Sequence, residues 1–446
     1  MKTPIVDFVR AYAGANPVRM HMPGHKGVAK LGPEPYDLTE IEGADSLFAP
    51  DGIIAESEAN AGELFGCPTF YSTEGSSLCV KAMLTLAIWQ AGEEKPLILA
   101  ARNVHRSFLD AAVLLDLDVQ WMYGKEEDSY LACRLTAEDV EQAILGASRK
   151  PVAVYLTSPD YLGQIADVEA IAKICRRHHI LLIVDNAHGA YLKFLTPSRH
   201  PIDLGADMAC DSAHKTLSVL TGGAYLHLSP KRTDLIPRVK EALSLFASTS
   251  PSYLILASLD LANSDLDAYR VKLNAFVPVV EKWKEAIRSA GYELVGEEPL
   301  KLTIDARKYG YEGGELAQRL REKGIFCEFS DAENLVLMLS PEQGIEDPDR
   351  VREALEEIPK RERKVKNGIP VARPVRVLSP REAVFGKSEK RPLDECEGKI
   401  YADLCVTCPP AVTPIVCGEK IDKEMIAILR HYGIKECRVI TDIRTR

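Results

Sequence analysis

From about residue 60 to residue 230 the spacing of apolar residues switches repeatedly between a helical and a strand rhythm. "ESEANAGELFG" carries apolar residues at helical spacing and ends on a glycine stop. "SLCVKAMLTLAIWQAG" predicts a second helix, "PLILAA" a strand, "SFLDAAVLL" a helix and "DVQWMY" a strand. "TAEDVEQAIL" opens on a threonine cap, with a glutamate expected to close a capping box. "PVAVYLTS" predicts a strand and "DVEAIAKICRRHH" a helix. "ILLIVD" shows no alternation, so it predicts a strand buried on both faces. "MACDSA" and "GGAYLHLS" predict two further strands. Strand–helix alternation over this length predicts an α/β fold built on a mostly parallel, helix-covered sheet.

Beyond residue 250 the rhythm changes. "PSYLILASLDLANSDLDAYRVKLNAFVPVVEKWKEAIRSAG" is one long helical pattern, a connector into a second unit. "YELVGE", "LKLTIDA", "GGELAQRLREKG", "IFCEFS" and "NLVLMLS" predict a smaller α+β unit. The charged, proline-bearing "KRERKVKNGIPVARPVRV" predicts a linker. The chain thus divides into an arm (1–60), a large sheet unit (61–270), a small α+β unit (271–365) and a C-terminal unit (366–446). A chain of 446 residues exceeds one core, which agrees with that division.

Composition adds a few exclusions. A net charge of -10 argues against nucleic acid or an anionic membrane as the main partner. The most apolar helical candidate is interrupted by Lys81, and Asp7 and Arg10 break any signal-peptide core. A cytoplasmic protein is the expectation. Eleven cysteines scattered over the chain do not form a secreted disulfide framework. Cys405 and Cys408 form a CxxC near Cys396 and Cys417, but there is no second CxxC or HxxxH. Reduced thiols, and no metal site, are expected there.

In open α/β sheets ligands bind at the carboxyl ends of strands, and here those ends carry polar groups. "STEGSS" (Ser72 to Ser77) precedes a helix, where Gly75, Ser76 and Ser77 could present N–H and hydroxyl groups to an anion. His105 follows "PLILAA", and Asp160 and Tyr161 follow "VAVYL". Asp185 ends "ILLIV", with His188 three residues on. Lys215 lies 30 residues after Asp185, beside Ser212 and His214. "MHMPGHKG" near the N-terminus predicts a rigid turn carrying polar groups. Pyridoxal phosphate chemistry uses such groups together. It needs a lysine amine to form an imine, an acid at the pyridine nitrogen, a helix N-terminus with hydroxyls for the phosphate, and a flat group on the ring. Lys215, Asp185, Ser76 with Ser77, and His105 can fill those roles.

The ordered set "MPGHK", "STEGSS", "RNVHRS", "DNAHGA", "DSAHKTL" and "STSPSYLILASLD" resembles the Orn/Lys/Arg decarboxylases, over nearly the whole chain. The resemblance implies an aspartate-aminotransferase-like (fold type I) architecture, pyridoxal 5'-phosphate as cofactor, and decarboxylation of arginine, lysine or ornithine in polyamine-related metabolism. It implies Lys215 as the cofactor-linking lysine, Asp185 at the pyridine nitrogen and His105 on the ring. Gly75, Ser76 and Ser77 would hold the phosphate, with Ser212 and His214 on its other side. His188 would lie near the ring and the substrate carboxylate, and Lys215 or His214 would return the proton to the α-carbon. "STSPSY" would carry Thr249 and Ser250 to a neighbouring subunit's phosphate, so a homodimer is implied. The chain resembles the short members, without an N-terminal assembly domain. Asp45, Glu74 and Asp160 are the expected candidates for the substrate's distal cation. "CPPAVTPIVCGE" departs from the family's "PPGxPxxxPGE" at Ala411 and Cys417. Two rivals remain open: another reaction on the same fold (an aminotransferase or a lyase), and a catalytically inactive regulatory homologue.

Overall fold

The computed structural model describes residues 1–93, 95–124, 129–364, 371–406 and 413–442. Its centre is a seven-stranded sheet made of β1 (Thr69–Ser72), β2 (Leu97–Ala101), β3 (Asp118–Met122), β4 (Ala153–Thr157), β5 (Leu181–Asp185), β6 (Met208–Asp211) and β7 (Ala224–Leu228). The spatial order is β1-β7-β6-β5-β4-β2-β3. β7 pairs antiparallel with both its neighbours, and the other pairings are parallel. The chain reverses its direction of travel across the sheet around β2, which opens a crevice at the carboxyl ends of β2 and β4. β5 is buried at every residue, as its unbroken apolar run predicted, and β2 is too.

Helices cover both faces. The helix Gly75–Ala91 is apolar on most sides because it is wedged between the sheet and the helix Val239–Ser244. Thr136 closes its capping box with Asp139, not with a glutamate, because Asp139 is the residue that falls at the third helical position. The predicted connector is a single helix, Tyr253–Ser289, about 55 Å long at 1.5 Å per residue. Its buried Asp260 accepts the N–H groups of Ile5 and Val6 and docks the helix Pro4–Gly14. No described helix is long and apolar enough to cross a membrane.

The chain then forms an antiparallel sheet, in the order β10-β11-β9-β8, from β8 (Glu293–Val295), β9 (Lys301–Asp305), β10 (Phe329–Ser330) and β11 (Asn334–Met338). Only two residues of "IFCEFS" pair as a strand, so Glu328 sits at its lip. β12 (Ser388–Pro392) and β13 (Glu436–Ile440) form a last hairpin-like pair.

Lys215 is not on a strand. β6 ends at Asp211, and Ala213–Thr216 form a short helical turn that carries the lysine away from the sheet. The following glycines permit this path. The Gly222 carbonyl accepts the Gly75 N–H at 2.7 Å, and a Cβ on Gly222 would lie 2.8 Å from the Thr73 carbonyl oxygen. Its φ of +101° adds a second reason for glycine.

Candidate active site

The carboxyl ends of β2, β4, β5 and β6 meet in a cavity of about 270 Å³. Gly75, Ser76, Ser77, His105, Asp185, His188, Ser212, His214 and Lys215 all line it. Nine of the eleven site residues read from the sequence are therefore brought together. Thr249 and Ser250 are not; they are exposed on the same chain, where the Ser248 N–H is held by Glu74 Oε1. Leu131, Thr157, Tyr161, Ala187 and Glu328 complete the wall. A larger groove of about 950 Å³ lies at the other edge of the sheet. There Arg232 pairs with Asp207 and Lys173 with Glu169.

Each wall has a physical origin. Asp185 ends β5 and is 2% exposed. Its carboxylate accepts the Tyr155 hydroxyl at 3.1 Å and the Ala187 N–H at 3.2 Å. His105 caps the helix Arg106–Leu114, its Nδ1 accepting the Ser107 N–H at 3.2 Å. That bond ties the ring to the first turn of the helix. Burial lowers the His105 pKa, opposed by the Asp185 carboxylate and assisted by Lys215. Ser212 donates to Ser76 Oγ at 2.7 Å and joins the β6 exit to the helix N-terminus. Gly75 spends its own N–H on Gly222, which leaves the N–H groups of the next residues, unpaired within any helix, to face a ligand. His214 is anchored by Nδ1 to the Gly223 carbonyl at 3.0 Å, and burial lowers its pKa.

Lys215 projects into the cavity and is solvent-reachable in the single chain. The protein packed around it still lowers its pKa, chiefly by desolvation, against the pull of Asp185 and with the help of Lys301. The effect favours the neutral, nucleophilic amine. His188 Nε2 lies 3.2 Å from Lys215 Nζ. Burial first, and then Lys215 and Lys301, hold the His188 pKa well below the ordinary value, so the ring is neutral. If Nε2 accepts from the lysine, the ring proton sits on Nδ1. That atom is buried with no partner among the described residues, and so is Thr157 Oγ1. Buried polar atoms of this kind call for a partner, which a bound ligand or an ordered water would supply.

These observations fit pyridoxal phosphate. Ser76, Ser77, Ser212 and His214 would surround the phosphate, Asp185 would face the ring nitrogen and His105 one ring face. Lys215 would be the covalent anchor, and His188 Nδ1 and Thr157 Oγ1 would serve polar atoms of the cofactor or substrate.

Glu328 is the residue that the sequence reading missed. It crosses from the small sheet to the cavity, where Oε1 accepts the Tyr161 hydroxyl at 3.0 Å. The Tyr161 ring stands edge-on to His188 and Phe329. The three carboxylates expected at the distal end are occupied elsewhere. Asp45 accepts five backbone N–H groups around the start of the helix Ile53–Phe65. Glu74 holds Ser248. Asp160 binds the N–H groups of Leu162 and Gln164, and burial pushes its pKa up to about 7. None of the three lines the cavity. Cys408 and Ala411 lie outside the described residues. Cys396 and Cys417 are buried, and burial pushes the Cys417 thiol up to about 12.

Behind the Lys215 turn, Asp211 is fully buried between His200 and His227, 3.2 Å from each ring, and it accepts from Asn186 at 2.6 Å. His200 Nδ1 accepts the Ile202 N–H, so its proton faces Asp211. Thr69 gives its hydroxyl proton to the Cys67 carbonyl and offers a lone pair to His227 Nδ1. His227 is then protonated on both nitrogens. The ring nitrogens that face Asp211 carry protons where a metal would need lone pairs. Burial lowers the His227 pKa, but Asp211 outweighs it and the net shift is upward. Asp211 is lowered overall by the two imidazoles despite its burial. The raised histidine contributes stability below its unfolded pKa, and this is lost as pH rises through the folded value. The lowered aspartate contributes above its unfolded pKa, and this is lost as pH falls. The pair is therefore at full strength between about pH 4 and 6.5. Asp211→Asn is expected to cost about 3–5 kcal/mol in that window and less at alkaline pH. Thermal melts of both proteins from pH 5 to 9 check this; a constant gap would refute the charged pair.

A family model described as "Orn/Lys/Arg decarboxylase, major domain" matches residues 3–297. The chain belongs to the Orn/Lys/Arg decarboxylase family. The arginine decarboxylase of Bacillus subtilis (strain 168) is 30% identical, covering 96% of this chain and 93% of that protein. An arginine decarboxylase of Halalkalibacterium halodurans is also 30% identical over the same shares. Among solved structures, the lysine decarboxylase LdcF of Francisella novicida superposes with a TM-score of 0.81 at 17% identity, covering 98% of this chain and 81% of that one. The constitutive lysine decarboxylase of E. coli gives 0.78 at 17% identity, covering 99% and 82%. The architecture is that of fold-type I pyridoxal phosphate enzymes, as expected from the motifs.

Proposed function

We propose that this member of the family decarboxylates arginine with pyridoxal 5'-phosphate. The observation that carries the reading is the convergence of Lys215, Asp185, His105 and the serine-lined helix N-terminus on one cavity, with Glu328 in its wall. Bound pyridoxal phosphate supplies an electron sink for the pair left when the carboxylate departs. Asp185 would face the ring nitrogen and favour its protonated form. His105 holds one ring face, and the hydroxyls of Ser76, Ser77 and Ser212 fix the phosphate end. Lys215 would be the residue that anchors the cofactor through its aldehyde, and its free amine would stand beside the substrate amine. Lys215 or His214 returns a proton to the α-carbon. Leu131 and the Tyr161 ring limit water at the departing carboxylate, where a less polar wall disfavours its charge. Glu328 receives the distal cation, and a carboxylate suits the planar guanidinium fork. The arginine decarboxylases matched over nine-tenths of their length support that choice of substrate.

The reading includes a homodimer. Thr249 and Ser250 are exposed in one chain and would complete the phosphate site of a second. Met20, Met22, Val28 and Leu31 form an exposed apolar arm that a second copy would cover.

Incubation with arginine, lysine and ornithine, with mass detection of products, tests the substrate. Arginine is expected to yield its amine and CO₂ with the highest kcat/KM. A keto acid product would indicate transamination, and a preference for lysine would overturn the substrate choice.

A further inference from the structure

Two sequence features are left over by this account: the arginine of "ARNVHRS" and the acid that ends "TPIVCGE". The structure joins them. Arg102 Nη1 and Nη2 meet the two oxygens of Glu419 at 2.7 and 2.8 Å, and the pair is 3% and 1% exposed. Arg102 Nε donates to the Thr413 carbonyl at 2.9 Å and Nη2 to that of Pro414 at 3.2 Å. The guanidinium also lies over the Trp121 and Tyr123 rings. Glu419 accepts the Val416 N–H, which closes the 413–419 turn on itself.

The backbone is held as firmly as the side chain. The Arg102 N–H goes to the Met122 carbonyl, and the Arg102 carbonyl accepts the Thr413 hydroxyl at 2.8 Å. Val104 is fully buried, and His105 is already committed to its helix cap. The segment from Arg102 to Ser107 therefore runs between two fixed points, and the His105 ring hangs between them. A buried ion pair is a poor way to gain stability, since apolar residues of similar volume generally serve as well. A fork with four hydrogen bonds and two ring contacts gives direction, which apolar packing does not.

We propose that Arg102 and Glu419 are a positioning pair, through which residues 413–419 of the C-terminal unit set the plane of His105 against the cofactor ring. This rests on the proposed pyridoxal phosphate site. The C-terminal unit is then part of the active-site framework, although in the described residues it lends no side chain to the cavity wall.

The test is the double variant Arg102→Met/Glu419→Met, which keeps the volume and removes the fork. It is expected to fold with a lower thermal midpoint than the wild type, because the Thr413 and Pro414 carbonyls and the Val416 N–H lose their side-chain partners. Its bound cofactor should show altered visible circular dichroism, and kcat should fall roughly 10²-fold. Arg102→Lys should also show both changes, because the ammonium keeps the charge but not the fork. A folded double variant with wild-type dichroism and kcat overturns the proposal. If the double variant does not fold, Thr413→Val decides the matter. It removes only the hydroxyl on the Arg102 carbonyl and should lower kcat roughly threefold, with the same dichroic change; an unchanged spectrum and rate would overturn the proposal. Failure of the underlying reading is distinguishable, because the wild-type protein itself would then acquire no visible chromophore with added pyridoxal phosphate.

Discussion

Lys215→Ala is expected to lose turnover by roughly four orders of magnitude or more, and to lose the covalent capture of cofactor by borohydride. Among the described residues the cavity wall holds one lysine, and its amine lies 3.2 Å from a neutral imidazole. Its pKa is lowered chiefly by desolvation, so more of it is neutral near pH 7 than of an ordinary lysine. The neutral amine is the form that can attack an aldehyde. After reduction, the wild-type protein should gain the mass of one phosphopyridoxyl group on the peptide that contains Lys215. The alanine variant should gain none, while far-UV circular dichroism stays unchanged. A variant still labelled after reduction would move the anchor to another lysine and end the assignment. A variant with residual binding but no labelling would agree with it, because Asp185, Ser76, Ser77 and Ser212 remain in place.

Much of this site was legible because buried strands end abruptly. "ILLIV" and "PLILA" carry no polar residue, so the Asp185 and His105 that follow them mark the rim of the sheet, and rims are where ligands bind in this architecture. The Lys215 turn hides one feature of the site. The buried charge in "DSAHK" is Asp211, fully enclosed and neutralised by His227, whereas Lys215 stands in an open cavity. The sequence pattern hides this because "AYLHL" reads as a plain buried strand, and nothing local tells that its histidine lies beside an aspartate 16 residues away. Distance along the chain hides more. Arg102 and Glu419 are 317 residues apart, and each looks like a loop charge in isolation. Glu328 looks like an ordinary polar position of a short edge strand, and only the docking of the small sheet against the strand ends brings it to Tyr161.

Glu328→Gln is expected to reduce kcat/KM for arginine by roughly 10²-fold while leaving cofactor capture by Lys215 intact. Glutamine keeps the shape of the side chain and an oxygen for the Tyr161 hydroxyl, so the substitution removes charge with little change in packing. Removing one partner of a hydrogen-bonded charge pair costs about 2–5 kcal/mol, and about 1.4 kcal/mol is a tenfold change. Glu328 is exposed in the single chain, which favours the lower half of that range. The distal cation is far from the breaking bond and contributes equally before and during reaction. The loss should therefore fall mainly on KM, with kcat reduced less. An uncharged amino acid of similar length makes the comparison sharper. The wild-type protein should prefer arginine to it strongly, and the variant should lose most of that preference, because the penalty applies only to the cation. If kcat/KM for arginine is unchanged, the cation is held by another group, and the partner chain becomes the place to look for it. If kcat falls with KM unchanged, Glu328 acts instead through Tyr161 and His188, whose rings it helps to hold against the lysine. The ratio of the two parameters thus separates a specificity residue from a positioning one in a single variant.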